Sequence, residues 1–131
     1  MIDADVIIRG ERGTFDLTRW LSSRSAERIE IAAITVAELW HGVERADATH
    51  RWKRERYVRS AVERMLVVPY TESTAIEHAR IWAVLEASGR MIGDYDLILA
   101  ATALERGSSV ATFNERHFSS VPGLKVIGVK G

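Results

Sequence analysis

The stretch Asp94–Phe113, DYDLILAATALERGSSVATF, decides the fold class. Within it Leu97–Leu104 (LILAATAL) is apolar nearly all round, which predicts a buried helix. Gly107 stands just past that pattern, where a left-handed cap is expected. Ser109–Phe113 follows as a brief run suited to a buried parallel strand. A buried helix feeding a buried strand implies an α/β fold, with helices packed on a mainly parallel sheet and right-handed crossovers.

The same alternation extends in both directions. Further strands are expected at Met1–Ile2 running into Asp3, at Ile29–Ile34, at Met65–Val68 and at Lys125–Val129, giving about five short strands. Helical patterns cover Val36–Ala46, Arg51–Arg64, Glu72–Ser88 and Tyr95–Glu105, and Gly89 marks a second left-handed cap. Two helices separate the third and fourth strands, so the loop Gly89–Asp94 must return the chain to the carboxyl edge of the sheet. Only two residues precede Asp3, so the first strand is expected to be incomplete, with the natural chain beginning earlier or residues missing. No repeat, low-complexity stretch or linker divides the 131 residues, which suit one domain over 1–131.

Composition narrows the function classes. Hydrophobic residues make up 47% of the chain, enough for a packed core and too many for a disordered segment. Eighteen basic residues balance eighteen acidic ones, so net charge gives no support for binding nucleic acid, and that case rests on local patches. The absence of cysteine excludes thiolate metal sites and cysteine nucleophiles, and fits a reducing cytoplasm. No apolar run approaches the ~20 residues that span a bilayer, so no membrane partner is expected. There is no signal-peptide pattern, and no G-x-G-x-x-G or P-loop pattern points to nucleotide binding.

In open α/β sheets, ligands bind outside the carboxyl ends of the strands. The polar residues expected there are Asp3, Glu38, Asp94, Asp96, Asn114 and Glu115. Gathered carboxylates repel and raise one another's pKa, a conflict that a hard divalent cation removes. Each residue also has a plainer explanation. Asp3 can open a turn, and Thr35 with Glu38 matches a capping box. Asp94 and Asp96 suit a helix start, Asp94 more as cap and Asp96 more as functional acid. Asn114 can cap a short helix over Glu115–Phe118, and Thr112 can be an ordinary strand threonine.

Four segments together carry a family resemblance. IDADVII at the start, ITVAELWHG at Ile34–Gly42, IGDYDLILAATAL at Ile92–Leu104, and TFNERHF at Thr112–Phe118 followed by Pro122-Gly123-Leu124 resemble the four blocks of PIN-domain ribonucleases, in the right order. The nearest subgroup is the VapC-type toxin of bacterial toxin–antitoxin pairs. The resemblance implies a parallel-sheet PIN fold and an endoribonuclease dependent on Mg²⁺ or Mn²⁺. It further implies a homodimer neutralised by a small antitoxin. By position, Asp3, Glu38 and Asp96 would surround the metal. Many relatives carry a fourth acid where Asn114 stands, so one or two metals stay open, with Glu115 able to compensate only by turning inward. Asp5 is expected to support the ligands from behind.

Other groups are less specific. Thr112 can orient a water or an acid. None of the four histidines has ligand spacing; His41 and His117 are candidates for phosphate contact and equally for plain surface. Arg51–Arg59 (RWKRERYVR) mixes five cations with Trp52 and Tyr57, suited to a polyanion or to a solvated amphipathic helix. Arg9, Arg12 and Arg116 lie nearer the acids. Trp40, Trp52 and Trp82 are expected mainly in the core, with an antitoxin groove as the alternative. Against the ribonuclease stand a catalytically impaired interaction module of the same fold and a phosphatase-like hydrolase.

Overall fold

The computed structural model describes residues 1–130. The chain runs α1 (Ala4–Glu11), α2 (Leu17–Ser23), β1 (Glu30–Ala32), α3 (Ala33–Arg45), α4 (Arg51–Glu63), β2 (Leu66–Val68), α5 (Glu72–Ala87), α6 (Asp94–Arg106), β3 (Val110–Thr112), α7 (Glu115–Phe118) and β4 (Val126–Gly128). The expected α/β class is the observed one, with four short strands among the described residues rather than five.

Strands β1 and β2 pair in parallel, as do β3 and β4. The N-terminal segment joins the two pairs without forming a full strand. Ile2 donates to Glu30 O of β1 at 2.9 Å, while Asp3 donates to Ala111 O of β3 at 2.9 Å and Ala111 donates to Met1 O at 2.8 Å. Ile2 and Ala111 form a single parallel bridge. Asp3 therefore leaves the sheet between β1 and β3, which fixes where α1 begins.

Side chains alternate across the strands. Ile31 and Ala111 join a cluster with Val6, Ile7, Leu39, Val43 and Val58 of α1, α3 and α4. Their neighbours Ala32 and Val110 join a second cluster with Ile81, Leu85, Leu97 and Leu99 of α5 and α6. The core is thus two apolar layers, one on each side of the sheet. The buried α6 is as expected, and Gly89 and Gly107 take φ of 68° and 71° as left-handed caps.

Several local expectations are corrected. The strand placed at Ile29–Ile34 ends at Ala32, because α3 starts at Ala33 with no intervening loop. Thr35 consequently lies inside α3, fully buried, with a hydroxyl that has no hydrogen-bond partner, so no capping box forms with Glu38. Gly93, not Asp94, occupies the cap position of α6. Helices α1 and α2 were not expected. Each is short and capped by an aspartate, Asp3 accepting from Ala4 N at 2.8 Å and Asp16 from Arg19 N at 3.0 Å. Trp52 and Trp82 lie on the surface, 59% and 48% exposed, and of the three expected in the core Trp40 alone packs partly against it.

Candidate functional site

Three helices deliver the acids to one place. Asp3 ends the N-terminal segment and Asp5 sits in the first turn of α1. Glu38 lies one turn inside α3, which begins as β1 ends. Asp96 is in the first turn of α6. Both short spacings matter, since each acid stands within a few residues of a strand end or helix start, where the backbone has little freedom to carry it elsewhere.

Burial acts on all four carboxyls, and neighbouring like charge acts on two of them. Burial and then the charges of Asp3, Asp96 and Asp5 push the Glu38 carboxyl up to about 7. Burial and then Asp5 push Asp3 up to about 6, against hydrogen bonds from Thr112 and Ala4. Asp5 and Asp96 are also raised, chiefly by burial. Partial withdrawal from water raises all four carboxyls, and like charge adds to it at Asp3 and Glu38.

Thr112, the last residue of β3, ties the group together. Its hydroxyl lies 2.8 Å from Asp3 Oδ2 and 3.2 Å from Asp5 Oδ2, and accepts from Asn114 N at 2.9 Å. Phe113 N donates to Asp5 Oδ2 at 3.1 Å. The plain strand-threonine reading of Thr112 therefore does not describe it. His117 of α7 places Nδ1 3.2 Å from Asp96 Oδ2. That contact brings an undecided histidine to the site.

The remaining candidates fall outside this group. Asp94 is exposed. Asn114 is exposed and its side chain caps nothing, so its link to the site runs through its backbone. Glu115 does not turn inward. Its carboxyl rests against Gly128, where any Cβ would collide with it. His41 is a surface residue. Sequence reading missed the contact of Arg9 with the Phe113 ring, 4.1 Å from guanidinium carbon to centroid, and only the proximity of both residues to the acids hinted at it.

The donors suit a hard divalent ion in kind: all are carboxylate oxygens, and Asp5 Oδ1 is buried without a partner. Among the described residues, no three acidic or histidine side chains already close around one point, so binding would require the side chains to turn inward. The Glu38 side chain is the one best able to move, being only half-buried on a long stem.

Comparison with known proteins identifies the family. The PIN domain family model matches residues 1–124. The chain is 30% identical to the "tRNA(fMet)-specific endonuclease VapC" of Salmonella typhimurium, over 96% of this chain and 94% of that one. It is also 30% identical to "Ribonuclease VapC1" of Rickettsia felis, over 98% and 95%. Among solved structures, the DNA-bound VapBC of Salmonella typhimurium superposes with a TM-score of 0.89 at 29% identity, covering 98% of this chain and 96% of that chain. The Rickettsia felis VapBC2 complex gives 0.90 at 20% identity, with the same coverage, a likeness of fold alone. A family model that spans nearly the whole chain, and relatives matched almost end to end, lead to one conclusion: the chain belongs to the PIN domain family, within its VapC branch.

Proposed function

We propose that this chain is a metal-dependent endoribonuclease toxin of a two-protein toxin–antitoxin pair. The observation that carries the reading is the meeting of Asp3, Asp5, Glu38 and Asp96 beside the ends of β1 and β3, close enough that Asp5 and Asp96 act on Asp3 and all three act on Glu38. The names of the relatives, endonuclease and ribonuclease, support RNA as the substrate. Solved neighbours that are VapBC complexes support an antitoxin as partner. The domain spans 1–131, acts as a homodimer and works in the cytoplasm in this reading. Exposed Trp52, Tyr70, Ile76 and Trp82 offer apolar surface that a protein partner would cover. No helix among the described residues is long and apolar enough to cross a membrane.

Asp3, Glu38 and Asp96 would hold Mg²⁺ or Mn²⁺, with Asn114 able to offer a neutral carbonyl oxygen. When bound, the ion supplies positive charge for the scissile phosphate and acidifies water. The protein's own groups prepare that chemistry. Thr112 fixes Asp3 and Asp5 through its hydroxyl, and His117 holds Asp96 from the open side. The Phe113 amide keeps Asp5 turned toward the site. Hydrolysis by water would leave a 5′-phosphate and a 3′-hydroxyl without using the 2′-hydroxyl.

The test is cleavage of labelled RNA with Mg²⁺ or Mn²⁺, with Asp96→Asn in parallel and the new ends mapped. Cleavage by the parent alone, giving 5′-phosphates, is the expected result. Equal cleavage by Asp96→Asn, or cyclic phosphate ends, would defeat the assignment. A parent as inactive as Asp96→Asn, with both still bound by the antitoxin, would favour the interaction module.

A further inference from the structure

Asp5 and Arg9 stand four residues apart on α1, acid before base, the spacing and order at which helical ion pairs form most readily. The pair does not form. Asp5 Oδ2 is taken by Thr112 and by Phe113 N, and Asp5 Oδ1 has no partner among the described residues. The Arg9 guanidinium lies over the Phe113 ring instead, at 4.1 Å. It stays close enough for its charge to act on Asp5.

Phe113 is well placed to hold a cation there. Its amide is fixed to Asp5, and its ring meets Phe15 edge-on at 5.2 Å and packs against the core. The ring therefore cannot easily swing away. A guanidinium stacked on an aromatic face keeps its N–H edge open, and that edge matches the oxygens of a phosphate. Arg9 itself is exposed. The cation is thus kept off the acids, which stay available, and is presented to solvent at their rim.

We infer that Arg9, parked on Phe113, is a positioning residue that grips an RNA phosphate next to the one being cleaved. This deepens the proposed ribonuclease reading and rests on it for the identity of the ligand. A polyanion approaching four carboxylates is repelled, and a fixed cation at the rim offsets that repulsion for a strand in one register. Phe113 has the second role of preventing Arg9 from collapsing onto Asp5, where it would compete with any divalent ion.

The experiment has two arms. In the first, Arg9→Gln, Arg9→Lys, Phe113→Leu and Phe113→Tyr are compared with the parent in cleavage of one single-stranded RNA. Arg9→Gln is expected to raise KM roughly tenfold with kcat little changed, as for a lost phosphate contact. Phe113→Leu should reproduce that loss although Arg9 is intact, and Phe113→Tyr should restore the parent value. Arg9→Lys should recover only part of it, because an ammonium does not stack as a plane.

In the second arm the same changes are made in Asp96→Asn, and binding of the labelled RNA is followed by anisotropy against KCl. Arg9→Gln should lower the slope of log K on log salt by about 0.7, the value of one single-strand phosphate. This arm reads Arg9 whether or not the parent cleaves, so it separates failure of this inference from failure of the ribonuclease reading. An unchanged KM and salt slope in Arg9→Gln would overturn the inference. So would a fall in kcat with KM constant, or a Phe113→Leu variant that melts like the parent and binds RNA as tightly. If Arg9→Gln keeps its RNA affinity and loses only antitoxin binding, the surface serves a protein and the inference is likewise overturned.

Discussion

Thr112 and Asp3, 109 positions apart in the chain, are joined by a buried hydrogen bond of 2.8 Å between the threonine hydroxyl and Asp3 Oδ2. The contact ties the end of β3 to the start of α1. It also opposes, through a donor, the burial and repulsion that raise the Asp3 carboxyl.

Thr112→Val keeps the shape of the side chain and removes its hydroxyl. Asp3 and Asp5 lose the one O–H they share, and the Asn114 amide loses its acceptor. The expected cost in stability is about 1–3 kcal/mol, read from urea unfolding, because buried polar groups are left short of partners. Activity or metal affinity should fall by roughly 10–100-fold, as when a group supporting metal ligands is lost. A variant that melts and cleaves like the parent would show that Thr112 plays no part.

The metal-free protein should become less stable as pH rises through the acid range toward 7. Asp3 goes from 3.8 to about 6 on folding and Glu38 from 4.5 to about 7. The folded state then binds more protons than the unfolded one between those values, so their contribution is full below the unfolded pKa values. It is lost as pH climbs through the folded ones. Melting temperatures of metal-free protein between pH 4 and 8 test the slope. Glu38→Gln should flatten the upper part and melt higher than the parent at pH 8, while cleaving less. Added Mn²⁺ should raise the parent's melting temperature more at pH 8 than at pH 5.

Arg106→Met should weaken the fold and spare the chemistry. Arg106 donates to Glu30 at 2.6 Å, and Ser108 donates to the same carboxyl. Glu30 opens β1, at the edge opposite the acids. Burial pushes Glu30 up, but the Ser108 and Arg106 bonds outweigh it and leave the carboxyl lowered. Without Arg106 that buried carboxylate keeps only part of its support. A loss of about 1–3 kcal/mol is expected, with kcat per folded molecule unchanged. A large drop in kcat would show coupling between the two ends of the sheet.

Gly10→Ala should destabilise, although alanine is the better helix former by ~1 kcal/mol. A Cβ at Gly10 would meet the Tyr57 hydroxyl and come within 2.9 Å of Leu17 Cβ. Tyr57 OH donates to Ile7 O at 3.1 Å, so the intrusion also strains that bond. Overpacking of this kind costs about 1–3 kcal/mol. A variant more stable than the parent in chemical denaturation would show that α1 and α4 can part freely.

Much of this architecture was legible in local pattern. The all-round apolar stretch Leu97–Leu104 and the Gly107 cap specified α6, and the adjoining β3 followed, because burial and backbone freedom leave their mark residue by residue. Helices α1 and α2 escaped for the same reason. They are short, and α1 carries a glycine whose place depends on Tyr57, a residue of another helix. The start of α3 was misplaced because Thr35 and Glu38 fit a capping box equally well on paper. The absence of any loop after Ala32 put both inside the helix.

The sequence alone determined which acids this protein has, that each stands near a strand end or helix start, and that helices cover a parallel sheet. Only the tertiary structure decided that Asp5 is bound by Phe113, 108 positions away, rather than by Arg9 on its own helix, and that Glu115 lies against Gly128 instead of among the acids. The reason is physical: periodicity reports which way a residue faces within its own element. The choice between competing partners rests on energies of contact between elements that meet only once the chain has folded.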